Sequence, residues 1–254
     1  MARRVPEGPP PPPVVQRIRL RYAKRGPLRF TSHRDFARAF ERALRRAEVP
    51  MAYSAGFTPH PKISYVGASP TGAASEAEYL EIGLARVMDV EQVRAMLDAA
   101  LPPGLDVVEA VPAGPGSLAD RMAASAWRIE LPGVSEAAAQ GAVEAFLAAE
   151  EVGVERLTKN GRRTVDTREP VVRLTASGAA PDPSGPPRAI LDLVVRQVTP
   201  AVRPDDVVAA LRAVAGLAPA APPVAVRLAQ GPLDAQGVVG DPLAPDRESA
   251  APAS

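Results

Sequence analysis

The sequence predicts an α+β protein built from two tandem ferredoxin-like (βαββαβ) domains with disordered termini. Three observations predict it. Period-2 apolar alternation recurs at several places. Helical apolar stripes fall between the alternating runs. The element order β-α-β-β-α-β is met once in each half of the 254-residue chain. The expected divisions are a leader over 1–14, a first domain over 15–114, a second over 124–229 and a tail over 230–254.

In the first half, RIRLRY (Arg17–Tyr22) alternates basic and apolar residues, a strand with Ile18, Leu20 and Tyr22 on one face. Ser32 followed by Asp35 is a helix start, because hydroxyl and carboxylate satisfy first-turn N–H groups. Phe36, Phe40, Ala43, Leu44 and Ala47 then fall on one helical face. Pro50 ends the helix, since the residue before a proline avoids the helical region. SAGFTPHPK (Ser54–Lys62) is a loop stiffened by Pro59 and Pro61. Strands follow at Lys62–Val66 and Ala77–Ala85, a helix at Val90–Leu101 and a strand at Leu105–Val111.

In the second half, a strand is expected at Ala126–Leu131 and a helix at Ser135–Ala149, with Ser135 as its cap. Val152–Leu157 and Arg162–Arg173 bracket Lys159-Asn160-Gly161, where Asn-Gly signals a hairpin. Arg188–Val198 reads as a strand. Pro204–Val214 reads as a helix with Asp205 and Asp206 in its first turn, and Val224–Leu228 as the closing strand. The leader MARRVPEGPPPPP, the insertion Gly178–Pro187 and the tail Gly231–Ser254 read as low-complexity segments outside any core.

Composition narrows the chemistry. Hydrophobic residues are 46% of the chain and aromatics only 4%, so the core is mostly Ala, Val and Leu. There is no cysteine, which excludes disulfides, thiolate catalysis and iron–sulfur ligation by this chain. No apolar run reaches the length of a membrane span, and no secretory signal pattern opens the sequence. A cytoplasmic location is therefore expected, with no membrane partner.

Charge is concentrated. Arg17–Arg46 holds 11 Lys/Arg against 2 Asp/Glu, a local net of +9, while the whole chain nets +1. Both histidines and four of the five phenylalanines lie between Lys24 and Tyr65. Gly67–Val111 carries 8 acidic residues against 2 Arg. Basic residues facing a partner with aromatics nearby fit a nucleic acid, whose phosphates supply affinity through counterion release and whose bases stack. The expected RNA contacts are Arg29, His33, Arg34, Arg38, Arg42, Arg45, Arg46, Phe57, His60 and Lys62. A second basic group, Lys159, Arg162, Arg163 and Arg168, is expected to converge around the hairpin. Structured RNA such as transfer or ribosomal RNA is the natural ligand.

His33 and His60 are the candidates for a general acid and base, because imidazole titrates near neutrality. The plainer alternative is that His33 supports the helix start and His60 its own loop. Two imidazoles beside Asp35 match no dedicated metal motif, so no metal and no cofactor is expected. Glu76, Glu78 and Glu81 lie on an alternating strand and read as a solvated face rather than a catalytic one.

GPLRFTSHRDFARAFERALRRAEVP, YSAGFTPHPKISY and SEAEYLEI occur in that order. They resemble the radical SAM-linked family of bacterial proteins of unknown function, whose members lie beside or fused to a radical SAM protein. The resemblance covers Arg17–Val111 closely and the second half loosely. It implies a radical SAM partner, which must hold any cluster itself. Tandem ferredoxin-like units with a histidine at the first helix are also similar in plan to CRISPR repeat-processing endoribonucleases. Three functions follow as expectations. The first is a non-catalytic accessory protein presenting RNA to the radical SAM partner. The second is a metal-independent endoribonuclease using His33 and His60. The third is a protein–protein adaptor that binds no RNA.

Overall fold

The structure is a computed structural model and describes residues 12–158, 161–179 and 186–250. Ten strands and five α-helices are formed among the described residues, a mixed α/β architecture. They fall into two compact units. Unit 1 takes residues up to Thr71, Glu76–Asp120 and those from Leu243 onward; unit 2 takes Gly72–Ser75 and Arg121–Pro242.

Unit 1 runs β1 (Gln16–Lys24), α1 (His33–Arg46), β2 (Ile63–Val66), β3 (Ala74–Leu84), α2 (Val90–Ala100) and β4 (Leu105–Pro112). The strand order is β4-β1-β3-β2, with β2 on the edge. β1 pairs β4 and β2 pairs β3, both antiparallel. Alternation in β1 buries Ile18, Leu20 and Tyr22 in one cluster with Phe36, Phe40, Ala43 and Leu44 of α1 and Val93 and Leu97 of α2. Tyr22 stacks on Phe36 at 4.3 Å between ring centroids. Arg17, Arg19 and Arg21 therefore point to the opposite face of β1, away from α1 and α2.

The start of α1 forms as the sequence requires. The Ser32 hydroxyl accepts the N–H of Asp35 at 3.2 Å and donates to its carboxylate at 2.6 Å. The helix ends before Pro50, with the Val49 N–H reaching back to the Leu44 carbonyl at 3.1 Å.

Unit 2 runs β5 (Ala124–Pro132), α3 (Glu136–Ala148), the hairpin β6 (Gly153–Thr158) and β7 (Gly161–Asp166), β8 (Val171–Gly178), β9 (Arg188–Arg196), α4 (Pro204–Ala215) and β10 (Val224–Gly231). Its strand order is β8-β9-β5-β10, and β10 also pairs in parallel with Ala74 and Ser75 at the start of β3. Ser135 caps α3 as expected. Asp206 caps α4 by accepting the Arg203 N–H at 2.7 Å. Gly216 closes α4 at φ 67°, a conformation that costs glycine little.

Several expectations are corrected. The run Arg162–Arg173 is not one strand. Asp166 accepts the N–H groups of Val152, Arg168 and Glu169 at 3.0, 2.9 and 3.2 Å, which turns the chain between β7 and β8. The hairpin β6–β7 forms its own two-stranded sheet, so unit 2 has one hairpin more than the expected order.

The expected tail over 230–254 is ordered through residue 250. Leu233 bridges Val239, and Ala244–Ala250 forms α5 against β4 of unit 1. Leu243 is fully buried, and the Asp246 side chain is 0% exposed. A charged residue withdrawn from water must be paired, and Asp246 meets Arg19 at 2.7 Å. The end of the expected leader packs as well. Val15 donates to the Leu84 carbonyl at 2.9 Å, and Val14 lies over Gly83. Residues 1–11 and 251–254 of the expected disordered termini lie outside the described residues. So do 180–185 of the expected insertion.

Candidate nucleic-acid interface

The +9 segment and the acidic segment neutralise one another in part. Arg17 and Arg19 meet Glu81, Arg21 meets Glu109, and Arg25 meets both Glu76 and Asp106. The sequence interval that looked uniformly basic is thus two populations. The β1 arginines are bound to carboxylates, whereas α1 presents free ones. Among the described residues Arg29, Arg34, Arg38 and Arg42 have no carboxylate within 4.0 Å. Arg45 faces Glu41 only at 4.0 Å, and Arg46 donates to the Ala100 carbonyl at 3.2 Å.

Helical geometry explains this segregation. Phe36, Phe40, Ala43 and Leu44 turn inward, which leaves Arg34, Arg38, Arg42, Arg45 and Arg46 exposed. From Arg34 to Arg45 the exposed arginines span about 16 Å at 1.5 Å per residue.

Two aromatic side chains stand out of the same unit. Phe30 closes the 3-10 turn Gly26–Phe30 just before α1; it is 60% exposed, with the Arg29 guanidinium 4.7 Å from its ring centre. Phe57 is 72% exposed in the Pro-flanked loop. That loop is pinned at its base. The Ser54 N–H donates to the His60 carbonyl at 2.8 Å, the His60 N–H donates to Ser54 Oγ at 3.0 Å, and Tyr53 bridges Pro61. Tyr53 and Pro61 line one small cavity with Glu41 and Arg45, so the loop base abuts the second half of α1. Phe30 was not singled out by sequence reasoning, although its place beside Arg29 in the basic run was the available signal.

The histidines do not form a pair. The His33 ring packs edge-on against Tyr65 at 4.9 Å, whereas the backbone of His60 is tied to Ser54. Among the described residues no hydrogen bond or ring contact joins them. Burial first, and then the neighbouring Glu41 charge, push the Tyr65 phenol well above its usual range. Its hydroxyl is buried without a hydrogen-bond partner.

Lys62 is exposed and lines a cavity of about 350 Å³ with His60, Ser54, Ser64, Arg17 and Glu81. Glu76, Glu78 and Glu81 are neither solvated nor a cluster. Glu76 and Glu81 are ion-paired, and Glu78 is buried and accepts the Ser69 N–H at 3.1 Å.

The expected second basic group does not converge. Lys159 lies outside the described residues. Arg162 is exposed and meets Glu155 at 3.4 Å. Arg163, the next residue on β7, takes the opposite face. Arg168 is half-buried, lies 5.9 Å from the Phe146 ring and donates to the Val171 and Leu147 carbonyls. It serves the packing of unit 2.

Among the described residues no helix is long and apolar enough to cross a membrane. No curated protein matches the sequence. Among solved structures, a crystal structure of an unknown protein from Galdieria sulphuraria is similar over 78% of this chain and 91% of its own, at 16% identity and a TM-score of 0.25. The pattern of the uncharacterized proteins conserved in bacteria (DUF2344) matches residues 17–204, which spans α1, its free arginines and the pinned loop. The chain belongs to that family.

Proposed function

We propose that this protein binds structured RNA through the α1 face of unit 1 and presents it to a partner radical SAM enzyme. The carrying observation is selective neutralisation. The β1 arginines are satisfied by carboxylates of their own unit, while Arg29, Arg34, Arg38 and Arg42 are left for an outside anion. A run of free guanidinium groups bordered by exposed Phe30 and Phe57 supplies the two elements of RNA binding, phosphate neutralisation and base stacking. The radical SAM partner rests on the sequence resemblance, whereas RNA, with transfer or ribosomal RNA as its class, rests on the basic and aromatic surface.

The architecture fits this role. In each unit the strands take the spatial order fourth-first-third-second, counting without the β6–β7 hairpin. That order supports a ferredoxin-like plan for both. A cytoplasmic location belongs to the same proposal. The endoribonuclease alternative gains no support from the separate partners of His33 and His60.

The test is a titration of fluorescent stem-loop RNA with the purified protein at several salt concentrations. The proposal expects affinity that falls steeply with salt and no cleavage of the RNA. Salt-insensitive or absent binding to every cellular RNA fraction rejects it and leaves the protein-adaptor role.

A further inference from the structure

The cavity around Lys62 is not part of the α1 face, and its chemistry is distinct. Five side chains carry donors to it: Lys62, His60, Ser54, Ser64 and Arg17. Among the described residues Lys62 has no carboxylate partner. Among the described residues the imidazole of His60 makes no hydrogen bond; the residue is held through its backbone N–H and carbonyl, by Ser54 Oγ and the Ser54 N–H. Ser54 Oγ already accepts the His60 N–H, which leaves its own hydrogen to donate. Glu81 is the single carboxylate lining this space. It is held at 2.8 Å by Arg17 and at 3.0 Å by Arg19, which also meets Asp246, so these two arginines and two carboxylates balance and Lys62 supplies the net positive charge.

A second cavity, of about 550 Å³, adjoins the first and shares Arg17, Ser64 and Glu81 with it. Its remaining lining is Tyr65, Val66 and the segment Gly114–Ala119, with no further charged side chain. That rim is fixed from beneath. The buried Asp246 carboxylate accepts the Gly114 N–H at 2.9 Å, and the buried Arg19 donates to the Gly116 carbonyl at 2.5 Å. The two spaces thus form one trench, cationic at one end and nearly neutral at the other. Both volumes lie in the range of small-molecule sites.

We infer that this trench binds a nucleoside 5′-monophosphate group, with the phosphate between Lys62, His60, Ser54 and Arg17 and the nucleoside against Val66 and the Gly114–Ala119 rim. A phosphate monoester carries close to two negative charges and several acceptor oxygens, which suits donors converging from different side chains. The group has two sources: the 5′ end of an RNA strand or a free mononucleotide. The first deepens the proposed function, because it makes the protein a reader of RNA ends, and in that form it rests on the RNA-binding proposal.

The experiment compares one short RNA carrying either a 5′-phosphate or a 5′-hydroxyl, and measures AMP, GMP, CMP and UMP binding directly by calorimetry. Wild-type protein is expected to prefer the 5′-phosphorylated strand about tenfold, the equivalent of one charge-assisted hydrogen bond. Lys62→Ala and His60→Gln are expected to remove that preference, so that each variant binds the two strands equally. Both residues are exposed, and the backbone bonds of the loop survive either substitution. Mononucleotides that bind wild type and lose affinity in Lys62→Ala identify the free nucleotide as a ligand, and support the site even if no RNA binds. Equal affinity for the two strands together with no mononucleotide binding overturns the inference. In that case salt-dependent binding of the 5′-hydroxyl strand would still uphold the α1 face as an RNA surface.

Discussion

Replacing Asp246 by Ala is the sharpest probe of how unit 1 is held together. Asp246 has no exposed side-chain surface, and Arg19 is 2% exposed. The carboxylate accepts from Arg19 at 2.7 Å and from the Gly114 N–H at 2.9 Å. Truncation leaves a buried guanidinium short of one anion and a backbone N–H short of its acceptor. Removing one partner of a buried ion pair costs about 3–5 kcal/mol. Arg19 keeps Glu81 and the Gly116 carbonyl, so the lower end, about 3 kcal/mol, is expected. Arg247→Gln is the control from the same helix. Its pair with Glu109 is 42% exposed on the arginine side, and such pairs contribute under about 1 kcal/mol. Urea denaturation followed by circular dichroism reads both, with unchanged slope and a lowered midpoint for the alanine variant. A loss below about 1 kcal/mol for Asp246→Ala would refute the packing of α5 on β1 and β4. Equal losses for the two variants would refute the weight given to burial.

Three further outcomes follow from the same structure. Phe40→Ala removes a side chain 1% exposed in the unit 1 core and should cost about 3–5 kcal/mol by thermal or chemical unfolding. Ser32→Ala deletes the cap of α1 and should cost about 1 kcal/mol, with partial rescue by Asp at the same position. Asp166 is partly desolvated, which raises its pKa, but the N–H groups of Arg168, Val152 and Glu169 outweigh this and hold it below the usual carboxylate range. Its stabilisation is therefore complete above the unfolded pKa of about 4 and is lost as pH falls through the lower folded value. Asp166→Asn should lower stability at pH 7 by about 1 kcal/mol and flatten the acid limb of the stability profile. An unchanged acid limb would show that other carboxylates govern it.

α1 was legible in the sequence because its signals are local. Ser32, Asp35, the Phe36/Phe40/Leu44 spacing and Pro50 all act within a turn or two of the helix. The tail was not legible, because what orders it lies 227 residues away. Asp246 is polar and its helix is short, and burying it is favourable because of partners far along the chain, Arg19 on β1 and the Gly114 N–H. Charge counting failed for the same reason. Arg25 finds Glu76 and Asp106, and Arg17 finds Glu81, across the sheet rather than along the chain. Arg168 looked like its basic neighbours, but Asp166 turns the strand at that point and aims it at Phe146. Lys62 and His60 were visible as functional types. Their cavity was not, because its far wall comes from Arg17, Glu81 and Gly83.

The salt dependence of RNA affinity tests the central claim most directly. The protein and its Arg34→Gln/Arg38→Gln/Arg42→Gln/Arg45→Gln variant are titrated with one stem-loop RNA across a salt series, after circular dichroism shows both folded. These side chains are exposed and lie outside the Phe36/Phe40/Ala43/Leu44 core, so folding should survive. Each phosphate contact contributes a slope of about 0.7 to 0.9 in log affinity against log salt. If all four arginines touch phosphates, the slope becomes shallower by about 3, and affinity falls to a similar degree for unrelated RNA sequences. An unchanged slope would contradict the account, because it would place the bound phosphates somewhere other than on α1.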